Sequence, residues 1–196
     1  MIGTETRRLQ APKPWRWTRQ EYHQMAEMGW FGDRRVGLID GEIIETSPQA
    51  HGHFVSVGRV GRWLSDAFGD GFWIRAKGPL RLAPDSEPEP DVAVVPGSDN
   101  DYLDHPTTAL LVVEIGASSL SFDSSKKAAI YAAAGIADYW IVNLQDACVE
   151  VYRRPVADAE AVFGLRYSEI RRYAPGNTVS PLARPEALLA VADLLP

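Results

Sequence analysis

The chain has 196 residues, is 45% hydrophobic and 23% charged, and carries a net charge of -6, the profile of a single domain able to bury a core. A mean hydropathy of -0.18, with no apolar run near the ~20 residues a spanning helix needs, excludes a membrane protein by composition. The lone Cys148 excludes an intrachain disulfide, in keeping with a cytoplasmic setting, and the start MIGTETRRLQ lacks the apolar stretch of a secretory signal.

Residues 1–17 are Pro-rich and aperiodic and read as an irregular arm before one domain over 18–196. Thr18 followed by Glu21 is a capping-box pattern, so a helix is predicted from there to about Trp30. Asp40–Gly41 between VGLI and EIIE predicts a β-hairpin. A second helix is expected from about Gly52 to Gly69, with Phe54, Val57, Val60, Leu64 and Phe68 as its apolar stripe. Phe72–Ala76 and Pro79–Leu82 are short strand candidates. Asp91–Val95 and Leu110–Ile115 read as strands buried on both faces. A helix is expected over Ser121–Ala134, with Ser121 or Asp123 as its N-cap and Gly135 as its stop. Two strands follow, Tyr139–Asn143 and Cys148–Arg153, then a weak strand near 163–170 and a short helix near 185–190. This order predicts an α/β (α+β) mixed sheet flanked by helices, behind an N-terminal helix and hairpin. The helix between Ile115 and Tyr139 is long enough for a crossover, so one strand pair is expected to be parallel.

Taken whole, a sequence pI of about 5.2 argues against nucleic acid. The acid is unevenly spread, however. Residues 82–125 hold nine Asp and Glu and no Lys or Arg, which leaves the rest of the chain at +3. Sixteen of the twenty basic residues are Arg, suited to bidentate phosphate contacts. Asp91 opens one buried strand and Glu114 sits in another, where a carboxylate is costly unless paired, hydrogen-bonded or on a metal. Two such carboxylates on adjacent strands can hold Mg²⁺ or Mn²⁺, which polarises a phosphoryl oxygen and activates water. Lys127, with Asp123 and Tyr131 four residues to either side on one helix face, is placed to orient that water and stabilise developing charge.

The strings DGEIIETSP, EPEPDVAVV, LLVVEIGASSLSFDSSKKAAIYAAAGIADYWIVN and VEVYRRP, in this order over about residues 18 to 194, closely resemble the bacterial Uma-type restriction-endonuclease-like family. That family is similar to the PD-(D/E)XK nucleases. The resemblance implies a restriction-endonuclease-like core, metal-dependent hydrolysis of DNA, Asp91 and Glu114 as the two motif acids, and a homodimer. No organic cofactor is implied. Several positions depart from the pattern. Gly116 stands where the superfamily carries its lysine, and the family's lysine position on the next helix is Lys127. Gly37 replaces a glutamate before LIDG, and Lys77 replaces a glutamine. Lys77 and Glu42 join the candidate catalytic residues, and His53, Asp123 and Tyr131 are expected to support them.

Weaker features carry bland readings beside these. Asp85, Glu87 and Glu89 are expected at a loop surface, with Glu89 a distant metal candidate. Trp15, Trp17 and Trp30 are expected to cover the core or a dimer seam. Arg59, Arg62, Arg75 and Arg81 form either a phosphate-binding face or a solvated surface. Cys148 is expected to be buried. Two alternatives to a nuclease stay open: a catalytically silent binding or assembly module on the same scaffold, motivated by Gly37 and Gly116, and an enzyme using the two carboxylates as acid and base on another substrate.

Overall fold

The computed structural model describes residues 13–46 and 48–196, so most of the expected arm lies outside the described residues. Helix α1 (Arg19–Glu27) starts at the capping box: the Thr18 N–H donates to Glu21 Oε2 at 2.8 Å and the Glu21 N–H to Thr18 Oγ1 at 3.3 Å. It ends three residues earlier than predicted, in turns where Gly29 and Gly32 take positive φ. Strands β1 (Val36–Ile39) and β2 (Glu42–Glu45) form the expected hairpin. Asp40 (φ 54°) and Gly41 (φ 68°) turn it with the left-handed pair such a tight connection requires.

Helix α2 (His51–Phe68) buries His53, Ser56, Val60, Leu64 and Phe68. Phe54 is 56% exposed, against expectation, because the buried stripe runs through 53 and 56 and Phe54 lies about 100° round the helix. After β3 (Phe72–Ala76), the segment Pro79–Leu82 is not a strand. Pro79 has no N–H, and Leu80 and Arg81 donate to the loop carbonyls of Pro88 and Pro106 instead of a ladder.

Strands β4 (Val92–Pro96), β5 (Leu111–Gly116), β6 (Asp138–Asn143), β7 (Cys148–Ala157) and β8 (Leu165–Tyr173) complete a six-stranded sheet in the order β3-β4-β5-β6-β7-β8. Its neighbours are antiparallel except β5 and β6, the predicted parallel pair. The crossover between them is helical from α3 (Leu120–Phe122) through a π-helical stretch (Asp123–Lys127) to α4 (Ala128–Ala133), closed by Gly135 at φ 74°. The helix thus begins after Ser119 rather than at Ser121 or Asp123.

Alternation sorts the strand residues onto two faces. Val92, Val94, Val113, Ile115 and Trp140 pack under α2, and Ala93, Val95, Val112, Tyr139 and Ile141 under α4, whose Ala128 and Ala132 let the helix come close. The predicted helix near 185–190 is absent. Pro181 and Pro185 break that stretch, Leu189–Ala190 (β10) pairs with Thr178–Val179 (β9), and α5 (Val191–Leu194) follows. Fully buried Asp138 pins this tail, accepting from Leu182 N, Trp140 Nε1 and Arg153 Nε, each at 2.8 Å. Cys148 is buried as expected. Trp15 (69% exposed) and Trp30 (61%) do not cover the core. Among the described residues no helix is long and apolar enough to cross a membrane.

Candidate active site

The register of three strands builds the site. Ala76 pairs with Val92, and Val92 with Val113. One step further, the same registers bring Lys77, just past β3, and Asp91, just before β4, level with Glu114 on β5. The ladder frays there in a defined way. The Lys77 N–H still donates to the Asp91 carbonyl at 3.1 Å. The Ile115 N–H turns to Asp91 Oδ2 at 2.6 Å, and His53 Nε2 from α2 meets the same oxygen at 3.0 Å. The Lys77 ammonium sits on Asp91 Oδ1.

The crossover helix covers this row. Lys127 Nζ lies 2.9 Å from Glu114 Oε2 and 3.1 Å from Asp123 Oδ1, and the Tyr131 hydroxyl donates to Glu114 Oε1 at 2.7 Å. Asp123 and Lys127 are the first and last residues of the π-helical stretch, whose wider turn fixes where Lys127 faces. The Ser119 hydroxyl donates to Asp123 Oδ2 at 2.5 Å, a support that sequence reasoning missed. Its only prior signal was a Ser four residues ahead of the acid.

Asp91, Glu114 and Asp123 are all buried, and the cations beside them are Lys77 and Lys127. Burial, reinforced by Asp91 and Asp123, pushes the Glu114 carboxyl up to about 7 despite the opposing pull of Lys127. Burial also works against an ionised Asp91, but the His53 hydrogen bond and the Lys77 ammonium outweigh it and hold that carboxyl below its usual range. Lys127 is driven the other way. Burial disfavours its charge, yet Glu114 and Asp123 raise it above the ordinary lysine value, so it is a fixed cation at neutral pH.

The row opens into a cleft of about 300 Å³. Val36, Ile39 and Ile44 of the hairpin give it an apolar wall, and Asp91, Glu114, Lys77 and Lys127 face it. Gly37 borders this space, and a Cβ there would meet nothing within 4 Å. Gly116 is the opposite case: a Cβ would run into the Leu120 side chain and stand 3.2 Å from Ile141 Cγ2. A side chain at this strand position must displace Leu120, and the lysine beside Glu114 is supplied by the helix, as Lys127.

Other candidates lie elsewhere. Glu42 does not reach the cleft, because on β2 it points to Arg16 at 2.8 Å and to Lys126. Lys126 is thereby tied to the hairpin. Glu87 is buried and ion-paired with Arg19 at 3.0 Å and His23 at 3.1 Å, not a surface acid. Glu89 borders the cleft, paired with Arg35 at 3.2 Å. The four arginines do not make one open face. Arg59 donates to the Leu195 carbonyl, Arg81 pairs with Asp104, and Arg75 is buried against the Trp73 ring, leaving Arg62 exposed.

Among the described residues no group of three or more His, Cys, Asp or Glu is arranged to hold a metal unaided. A hard divalent ion needs fewer, since Mg²⁺ is typically held by one or two carboxylates plus water and phosphate oxygens. Asp91 and Glu114 supply two on adjacent strands. Three buried carboxyls share the two lysines beside them, so the residues present fit such an ion.

A six-stranded mixed sheet flanked by helices is the architecture expected of a restriction-endonuclease-like domain. The chain belongs to the Uma2 family, described as "Putative restriction endonuclease", whose pattern matches residues 19–192. Its fold is similar to that of a crystal structure described as "a putative nuclease belonging to DUF820" from Anabaena variabilis. That similarity has a TM-score of 0.68 at 14% identity and covers 90% of this chain and 96% of the other. No curated protein matches the chain.

Proposed function

We propose that the chain is a metal-dependent endonuclease that hydrolyses DNA phosphodiester bonds, acting as a homodimer, as its family resemblance implies, in the cytoplasmic setting that its cysteine usage suits. The observation that carries this reading is the convergence of Asp91, Glu114 and Lys127 on one cleft. Ile115 N–H and His53 lock Asp91 in one orientation as an anion. Tyr131 and Lys127 position Glu114 opposite it. Glu114 and Asp123 favour the charge on Lys127, which places it to stabilise charge building on the phosphate. Bound at Asp91 and Glu114, Mg²⁺ or Mn²⁺ supplies a polarised phosphoryl oxygen and a water of lowered pKa. Purified protein is expected to nick supercoiled plasmid or cut single-stranded DNA when Mg²⁺ or Mn²⁺ is added, and Asp91→Asn to abolish it. Cleavage that survives both Asp91→Asn and Glu114→Gln overturns the assignment.

One observation favours a second reading, a catalytically silent binding module: Asp91 already has a cation partner in Lys77. Calorimetry separates the two, because that reading requires that Mn²⁺ give no binding heat.

A further inference from the structure

Lys77 holds Asp91 twice, through its main chain and its ammonium, and takes up the oxygen that other groups leave over. Asp91 Oδ2 is occupied by the Ile115 N–H at 2.6 Å and by His53 at 3.0 Å, so Oδ1, under the Lys77 ammonium, is what remains for any other cation. We propose that Lys77 is a resident counter-cation that competes with the divalent ion for Asp91, so that metal loading moves its ammonium off Asp91 and into the cleft to meet the substrate phosphate. This rests on the metal reading above and extends it to the order of events: metal first, phosphate second.

Three features of the position support the exchange. The Lys77 side chain is 25% exposed where those of Asp91 and Glu114 are 7% and 3%, so it can leave without opening the core. It lines the cleft, and its four-carbon stem lets the ammonium swing while the strand stays in place. Its backbone adopts φ 54°, a strained region for a residue with a Cβ, and is held there by its N–H bond to Asp91. The exchange replaces one positive charge on Asp91 by two and adds the freed ammonium to Lys127, so the cleft becomes an anion site only once the metal is in place.

Mn²⁺ affinity, read from the free-ion electron paramagnetic resonance signal, tests this in the wild type, Lys77→Met and Lys77→Gln, with unfolding curves to confirm that each variant folds. Removing a charge-assisted bond to one ligand is expected to tighten Mn²⁺ binding by about tenfold to a hundredfold in both variants. Asp91→Asn is expected to abolish binding in every background. A second measurement needs no substitution: acylation of the Lys77 amine, followed by mass spectrometry, is expected to speed up when Mn²⁺ is added while Lys13 does not change. Equal or weaker Mn²⁺ binding by the variants, or unchanged Lys77 labelling, overturns the competition and leaves the metal site standing. No Mn²⁺ binding in wild type or variants overturns both.

Discussion

Glu114 is a carboxyl buried beside two others, and its proton is a stability variable. The unfolded chain titrates it near 4.5 and the folded chain near 7, so the fold binds that proton more tightly. The stability it contributes is fully present below about pH 4.5 and is lost as pH rises through 7. The metal-free protein is therefore expected to lose up to about 3 kcal/mol over this window that Glu114→Gln does not lose. Urea titrations at pH 4.5 and 8 measure the difference, and parallel profiles in the two proteins contradict it. Two glycines that the family pattern singles out behave in opposite ways. Gly116→Ala presses on Leu120 and is expected to cost about 1–3 kcal/mol, while Gly37→Ala enters open space and is expected to be neutral or to stabilise by about 0.4–1 kcal/mol. Equal effects in thermal unfolding would show that Leu120 simply moves aside.

At the scale of elements, the crossover does more than connect two parallel strands. The π-helical stretch puts Asp123 and Lys127 over Glu114, and Tyr131 follows on the same face in α4. The i, i+4 spacing of these three residues was readable in the sequence, but the π geometry was not, since nothing in DSSKK marks a wider turn. Likewise the capping box at Thr18 was legible because it is local, whereas the partner of α1 was not. Glu87, from a segment expected at the surface, anchors that helix through Arg19 and His23. The tail is held by apolar packing of Val179, Leu189, Val191 and Leu194 and by one buried acid. Asp138→Ala leaves Arg153 without its carboxylate and frees Leu182, and is expected to cost about 3–5 kcal/mol and to expose 181–194 to proteolysis first. A loss confined to surface values in denaturant unfolding would remove Asp138 from this role.

For the whole molecule, the net charge of -6 misleads because part of the acid is buried. Of the nine acids in 82–125, Asp91, Glu114 and Asp123 meet in the candidate site and Glu87 is buried against α1, while Asp104 pairs with Arg81 at the surface. Relief of the buried charge by a divalent ion is expected to appear globally. At Mn²⁺ a hundredfold above its Kd the protein gains about 2.7 kcal/mol, or roughly 5–10 °C in Tm. Chelator is expected to reverse the shift and Asp91→Asn to remove it. DNA retention is expected to need the same ion and to fall steeply with salt. Differential scanning fluorimetry with and without metal, and binding assays across a salt series, check both statements.

What depends on neighbours along the chain was legible before folding: the hairpin at Asp40–Gly41, helices α1 and α2, the doubly buried strands and the identity of Asp91, Glu114 and Lys127 as costly or well-placed charges. Periodicity and turn chemistry act over a few residues, so one chain reveals them. Which charges meet was set by the packed fold. Strand register, a long-range property, set Lys77 beside Asp91 and Asp91 beside Glu114, and left Glu42 out on the hairpin with Arg16 and Lys126. Packing set Leu120 against Gly116 and brought Lys127 of the crossover helix over Glu114, because side chains far apart in the chain meet only once the layers pack.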